Sequence, residues 1–147
     1  MKPDFNYNEF PSTFSHCFNE KCTRGDKCLR RQVAFRMPKE RGGVYAISPV
    51  YLEALDGKEC PFFLLDEPQR FAKGITNLFD DLPLRKVEII KSKLIVHWGR
   101  STYYRCKQKK RLVKPSEQAY VKKLFLAQGI KDEPRYDEYQ EYYDLGR

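Results

Sequence analysis

A chain of 147 residues, 41% apolar and 33% charged with ten Phe, ten Tyr and one Trp, holds enough aromatic material for a core despite a mean hydropathy of -0.72. Its length suits one domain burying roughly 70% of its unfolded surface. The start, MKPDFNYNEF, has no basic segment followed by an apolar run, and no window holds the roughly eighteen apolar residues of a membrane helix, so no leader or membrane span is expected and the cytoplasm is the expected compartment. Charge is uneven: residues 1–84 carry twelve Lys/Arg against twelve Asp/Glu, residues 85–131 fourteen against two, and residues 132–147 two against six, within a net +8.

Along the chain, HCFNEKCTRGDKCLRRQ packs three cysteines and a histidine into one turn-rich stretch. It runs into KCLRRQVAFRMP, where Leu29, Val33 and Met37 repeat at helical spacing until Pro38. A short helix is predicted from the third cysteine. VYAISPVYLEAL combines a β-favouring start with Pro49, and DGKECPFFLLDEP reads as a turn, a Cys-Pro pair and an apolar cluster. PQRFAKGITNLFDDLP sets Phe71, Ile75, Leu78 and Phe79 on one helical face, and LPLRKVEIIKSKLIVHWG repeats Leu84, Val87, Ile90, Leu94 and Trp98 up to Gly99. KPSEQAYVKKLFLAQGI predicts a third amphipathic helix, N-capped by Ser116, with Tyr120, Val121, Leu124 and Phe125 as its stripe and Gly129 past its end. In the acidic tail, Tyr136, Tyr139 and Tyr143 at i, i+3, i+7 predict a last helix docked by its tyrosines.

Five cysteines in a reducing compartment argue against a disulfide framework. Cys17-x4-Cys22-x5-Cys28, with Cys60 returning from a distant Glu-Cys-Pro loop, suits a tetrahedral thiolate site for structural Zn²⁺. Lys21, Arg24, Lys27, Arg30 and Arg31 would offset its negative charge, and Gly25 would let the backbone bend toward the metal. His16 is an alternative fourth ligand, although adjacency to Cys17 gives it an awkward bite. An iron–sulfur cluster is the second cofactor candidate, favoured by the Cys-Pro pair and disfavoured by the absence of a C-x2-C run. Apolar packing of small thiols is the remaining alternative.

KCTRGDKCLRRQ resembles part of a CCCH zinc finger, whose Cys-x5-Cys-x3-His tail contains a similar Gly-charged-Cys turn. Gln32 stands where that histidine would be, and only four residues separate Cys17 from Cys22, so the RNA-binding role of those fingers is not carried over. Over almost the whole chain, HCFNEKCTRGDKCLRR, ECPFF, WGRSTYYR and PSEQ, in this order, resemble an uncharacterised family of gut bacteria known only as a domain of unknown function. The resemblance implies that Cys17, Cys22, Cys28 and Cys60 belong to the family pattern and Cys106 does not.

The +12 block reads as a footprint for phosphates or another acidic surface. Within residues 84–128, VHWGRSTYYRCKQKKRLVKPSEQAYVKKLF is similar to phage-repressor-type helix-turn-helix proteins. That resemblance implies that Ser101 and Thr102 open a recognition helix, that Tyr103 anchors it, and that Arg100, Arg105, Lys107, Lys109, Lys110 and Arg111 meet phosphates or base edges. A β-hairpin pairing YYRCK with RLV across QKK competes locally. Trp98 and Tyr103 read as core anchors, and lone His97 as a surface or boundary residue.

No Gly-rich phosphate loop, G-x-S-x-G or H-E-x-x-H is present and histidines number two, so no enzyme is expected. The expected fold is α+β, mainly helical: a small loop-rich N-terminal half, stapled by zinc on four cysteines, packed on a C-terminal helix-turn-helix-like half. One domain spans 1–147, divided into a cysteine subdomain (1–67), a basic helical subdomain (68–131) and an acidic, Tyr-rich tail (132–147). The expected function is zinc binding with nucleic-acid binding, DNA foremost, through residues 85–123. The alternative is a protein-interaction module whose basic face docks an acidic partner, with no nucleic acid.

Overall fold

The computed structural model describes residues 2–146. It is α+β, with five α-helices and a small three-stranded sheet. The chain forms two compact units: one runs from the N-terminus to Pro68 and takes the chain end from Tyr143, and the other is Gln69–Tyr142. Among the described residues no helix is long and apolar enough to cross a membrane.

In the first unit, Phe14, Leu29 and Val33 are buried, with Phe5, Tyr7, Phe10, Leu64, Tyr143 and Leu145 around them. Leu29 and Val33 lie one turn apart on α1 (Leu29–Ala34), and each fully buried side chain contributes about 1.5–3 kcal/mol. The helix starts at the third cysteine as predicted but stops before Met37. Arg36 and Met37 donate to the carbonyls of Val33 and Ala34, a tightening to i→i−3 bonds that ends the helix ahead of Pro38. Helix α2 (Pro49–Ala54) forms because the Ser48 hydroxyl accepts from the Tyr51 N–H at 3.3 Å and Pro49 occupies the first helical position. The β-favouring residues before it make only a one-residue parallel bridge, His16 to Ala46.

The second unit is built on α3 (Leu84–Trp98), α4 (Arg100–Lys107) and α5 (Pro115–Ala127). Ile90, Leu94, Tyr103, Cys106, Val121, Leu124 and Phe125 meet in one core with Ala72 and Val113 from the sheet. Gly99 alone turns α3 into α4, at φ 85° and ψ 149°, a backbone state only glycine adopts without strain. The sheet has the order β2-β1-β3, from β1 (Pro68–Lys73), β2 (Leu112–Val113) and β3 (Glu138–Tyr143). Ala72 faces Val113 and Lys73 faces Leu112 in an antiparallel pair.

Four local expectations are corrected. The helix predicted over residues 69–82 is replaced by β1 and turns. Gly74 sits at φ 85°, and the Asp137 carboxylate accepts from the Thr76 hydroxyl (2.6 Å), the Asn77 N–H (3.1 Å) and the Thr76 N–H (3.3 Å). Backbone donors that a helix would have used are thereby tied to a residue some sixty positions on. The hairpin alternative at 103–113 does not form either, because α4 ends in a Schellman turn. Lys109 donates to the Cys106 carbonyl and Lys110 to that of Arg105, with Lys109 left-handed at φ 61°, and Leu112–Val113 then pairs with β1.

Ser116 is not the N-cap of α5. Pro115 takes the first helical position, and the Glu117 carboxylate accepts the Lys114 N–H at 2.8 Å. The other end of α5 is as predicted: Gly129 (φ 74°) follows the cap, and Ile130 donates back to Phe125 at 2.9 Å. Finally, the tyrosine-rich tail is a strand, β3, rather than a helix.

Candidate functional site

Cys17, Cys22, Cys28 and Cys60 line one cavity of about 470 Å³ in the first unit. Local backbone bonds place each thiol. Cys28 caps α1, donating to the Gly25 carbonyl at 3.2 Å and bridging to Leu65. Cys17 donates its N–H to the Arg30 carbonyl at 3.2 Å, and Cys22 and Cys60 each accept a turn bond, from Gly25 and Phe63 respectively. Cys17 and Cys28 are buried, Cys22 and Cys60 half-buried, and all four are free thiols.

Burial pushes the Cys17 thiol up, the Asn19 N–H on its sulfur works against this, and the nearby charges of Cys28, Cys22 and Cys60 raise it further. The four groups therefore share one electrostatic environment. Desolvation lowers the half-buried Arg30 guanidinium, and the thiolates of Cys28, Cys60 and Cys17 oppose that shift.

The donor set fits a soft tetrahedral ion in kind: four sulfurs, two of them buried, with a cation beside them. Among the described residues, however, no group of three or more His, Cys, Asp or Glu side chains is arranged to hold a metal ion.

The neighbours have more specific roles than charge compensation. Gly25 has no positive φ among the backbone exceptions. A Cβ there would press on the Arg31 side chain, whose guanidinium bonds Asp26 and the Glu20 carbonyl. Gln32, in the place of the CCCH histidine, donates to the Gly25 carbonyl at 3.1 Å and holds the same turn. Arg24 lies 3.7 Å from the Phe63 ring centroid and pairs with Glu59.

His16 is buried with both ring nitrogens engaged. Nδ1 faces the Tyr45 carbonyl at 3.1 Å and so carries the proton, and Nε2 accepts from the Tyr7 hydroxyl at 2.8 Å. It has no lone pair left for a metal. Cys106 is fully buried in the core of the second unit, where Arg111 donates to its sulfur at 3.7 Å. The cavity's apolar wall, which includes Ile47, Leu52, Leu55, Phe62 and Phe63, carried no distinguishing signal in the sequence beyond the PFF cluster.

The second unit holds seventeen Lys/Arg against nine Asp/Glu, hence the whole of the net +8. On and after α4, Arg100, Ser101, Arg105, Lys107, Lys109 and Lys110 are exposed, and Thr102 is half-exposed. Tyr103 is in the core, Trp98 packs against it, and exposed His97 stacks on Tyr120 at 3.9 Å. Two of the expected phosphate contacts are already engaged. Arg111 forms a two-pronged pair with Glu117 at 2.8 and 3.1 Å, and Lys109 pairs with Glu138 at 3.1 Å. Arg105, Lys107 and Lys110 have no carboxylate partner among the described residues.

No curated protein and no solved structure matches the chain. One family model does, over residues 1–145, and the chain accordingly belongs to that family, a family of unknown function designated DUF6078.

Proposed function

We propose that the chain is a zinc-binding protein in which Cys17, Cys22, Cys28 and Cys60 form a structural staple in the first unit, and that the second unit binds nucleic acid, DNA foremost. The observation that supports the staple is the gathering of four free thiols, from segments far apart in sequence, around one cavity. A bound zinc would supply a covalent-strength cross-link and no chemistry. The four thiolates would be its ligands, and binding would release protons and add to the folding free energy. The variants Cys60→Ser and Cys106→Ser test the ligand set: the first should hold well under one equivalent of zinc and the second as much as the wild type. Equal zinc in both would remove Cys60 from the site.

The nucleic-acid reading rests on the concentration of positive charge in the second unit and on the unpaired Arg105, Lys107 and Lys110 beside Arg100 and Ser101. In its most specific form, α4 is the recognition helix of a helix-turn-helix. Duplex DNA of arbitrary sequence should bind at low salt and weaken steeply toward physiological salt as counterions return. Arg105→Glu with Lys110→Glu should abolish binding, whereas Arg111→Met should leave it nearly unchanged wherever the protein stays folded. If no DNA or RNA binds even at low salt, the basic face serves an acidic protein partner instead.

A further inference from the structure

We infer that Arg30 is the positioning residue of the cysteine site, a clasp that joins the three chain segments carrying the thiols. The inference rests on the zinc reading above for its functional meaning. Its geometry is independent of any metal.

Arg30 lies two residues after Cys28, in the first turn of α1. Its backbone carbonyl accepts the Cys17 N–H at 3.2 Å. Its Nε donates to the carbonyl of Phe62, two residues after Cys60, at 2.9 Å, and a terminal nitrogen donates to the carbonyl of Ser15, two residues before Cys17, at 3.0 Å. One side chain thus binds the Cys17 segment and the Cys60 loop while its own backbone lies two residues from Cys28 on α1. The Phe14 ring lies 5.1 Å from the guanidinium carbon and limits its movement.

Only arginine suits the task. Two carbonyls in different directions need two donors held in one rigid plane, and lysine offers a single nitrogen on a flexible stem. The fixed positive charge also lies within electrostatic reach of Cys17, Cys28 and Cys60, where four metal-bound thiolates would leave a centre of charge about −2. Arg24 and Arg31 also line the cavity and each ties two thiol-bearing segments, Arg24 through its pair with Glu59 and Arg31 through the Glu20 carbonyl, but only Arg30 joins the segments of Cys17, Cys28 and Cys60 through hydrogen bonds to backbone carbonyls. Groups that orient metal ligands without touching the metal typically change affinity about 10- to 100-fold when removed.

The test uses the full chain as wild type, Arg30→Met, Arg30→Lys and, as control, Lys21→Met, with circular dichroism to select the folded variants. Zinc-loaded protein is titrated with a chromophoric zinc chelator. Metal-free protein is treated with a thiol alkylating agent, and the modified cysteines are identified by mass spectrometry. Arg30→Lys, which keeps the charge and loses one arm of the clasp, should release zinc at about tenfold lower chelator concentration, and Arg30→Met lower still, while Lys21→Met follows the wild type. Without metal, Cys60 and Cys17 should alkylate at least several-fold faster in both Arg30 variants. Wild-type alkylation rates in folded Arg30→Lys overturn the clasp. Unchanged zinc retention with faster alkylation also overturns its role in the metal site. If the wild type takes up no zinc, the zinc reading fails on its own, and alkylation alone decides whether Arg30 holds the segments together.

Discussion

Replacing Glu117 with alanine should destabilise the second unit by about 2–3 kcal/mol. Its carboxylate makes three bonds: to the Lys114 N–H at 2.8 Å and to two Arg111 nitrogens at 2.8 and 3.1 Å. Losing the cap at the start of α5 costs about 1 kcal/mol. The ion pair is only 17% exposed on the Glu117 side and 27% on the Arg111 side, so screening removes part of its worth, and it adds about 1–2 kcal/mol. At ~150 residues each kcal/mol moves the melting midpoint by about 3–4 °C, giving a fall of roughly 6–12 °C by differential scanning calorimetry. Glu117→Gln keeps an acceptor for the Lys114 N–H and loses the charge, so it should show about half the effect. Arg111→Met in the Glu117→Ala background should cost far less than in the wild type, because the pair is already broken. A fall below about 2 °C for Glu117→Ala, or equal effects from alanine and glutamine, would refute the reasoning and return Arg111 to the pool of free cations.

Two further substitutions probe the corrected regions. Asp137→Ala frees the Thr76 and Asn77 donors and should cost about 1–2 kcal/mol at neutral pH. Desolvation works to raise the Asp137 carboxyl, but the hydrogen bonds from Thr76 and Asn77 and the Lys109 charge outweigh it and hold the group below its usual value. This contribution is present above the ordinary carboxylate range and is lost as pH falls through the lowered value, so urea midpoints of wild type and Asp137→Ala should converge in acid. A constant gap down to about pH 2 would contradict it. Lys109→Gly should raise the urea midpoint by an amount equivalent to about 1 kcal/mol, since a left-handed non-glycine residue carries about that strain. Because Lys109 already pairs with Glu138, the change should move DNA affinity less than twofold, and a several-fold loss would show that Lys109 contacts the ligand.

The helices α3 and α5 were readable because their apolar residues repeat on one face and glycines follow their ends, and the structure buries the stripes at Ile90, Leu94, Val121, Leu124 and Phe125. The segment around Phe71 was misread for a physical reason. Phe71, Ile75, Leu78 and Phe79 have helical spacing, yet Phe71 and Ala72 are adjacent and both buried, and the turn after them is organised by Asp137 from the far end of the unit. No local pattern reports such a partner. Tyr139 and Tyr143 failed in the same way, as residues of a strand whose neighbour, β1, was itself unrecognised. At the cysteine cavity, spacing marked the first three thiols, and the approach of Cys60 depends on long-range bonds through Leu64, Phe62 and Arg30. Arg30 was visible only as one more positive charge, because the carbonyls it joins leave no mark on residue type.

Elemental analysis of wild-type protein purified without added metal tests the central claim most directly. About one equivalent of zinc per chain in a colourless solution is expected. Less than about half an equivalent of any metal would contradict the staple, and a brown protein containing iron would replace zinc with an iron–sulfur cluster.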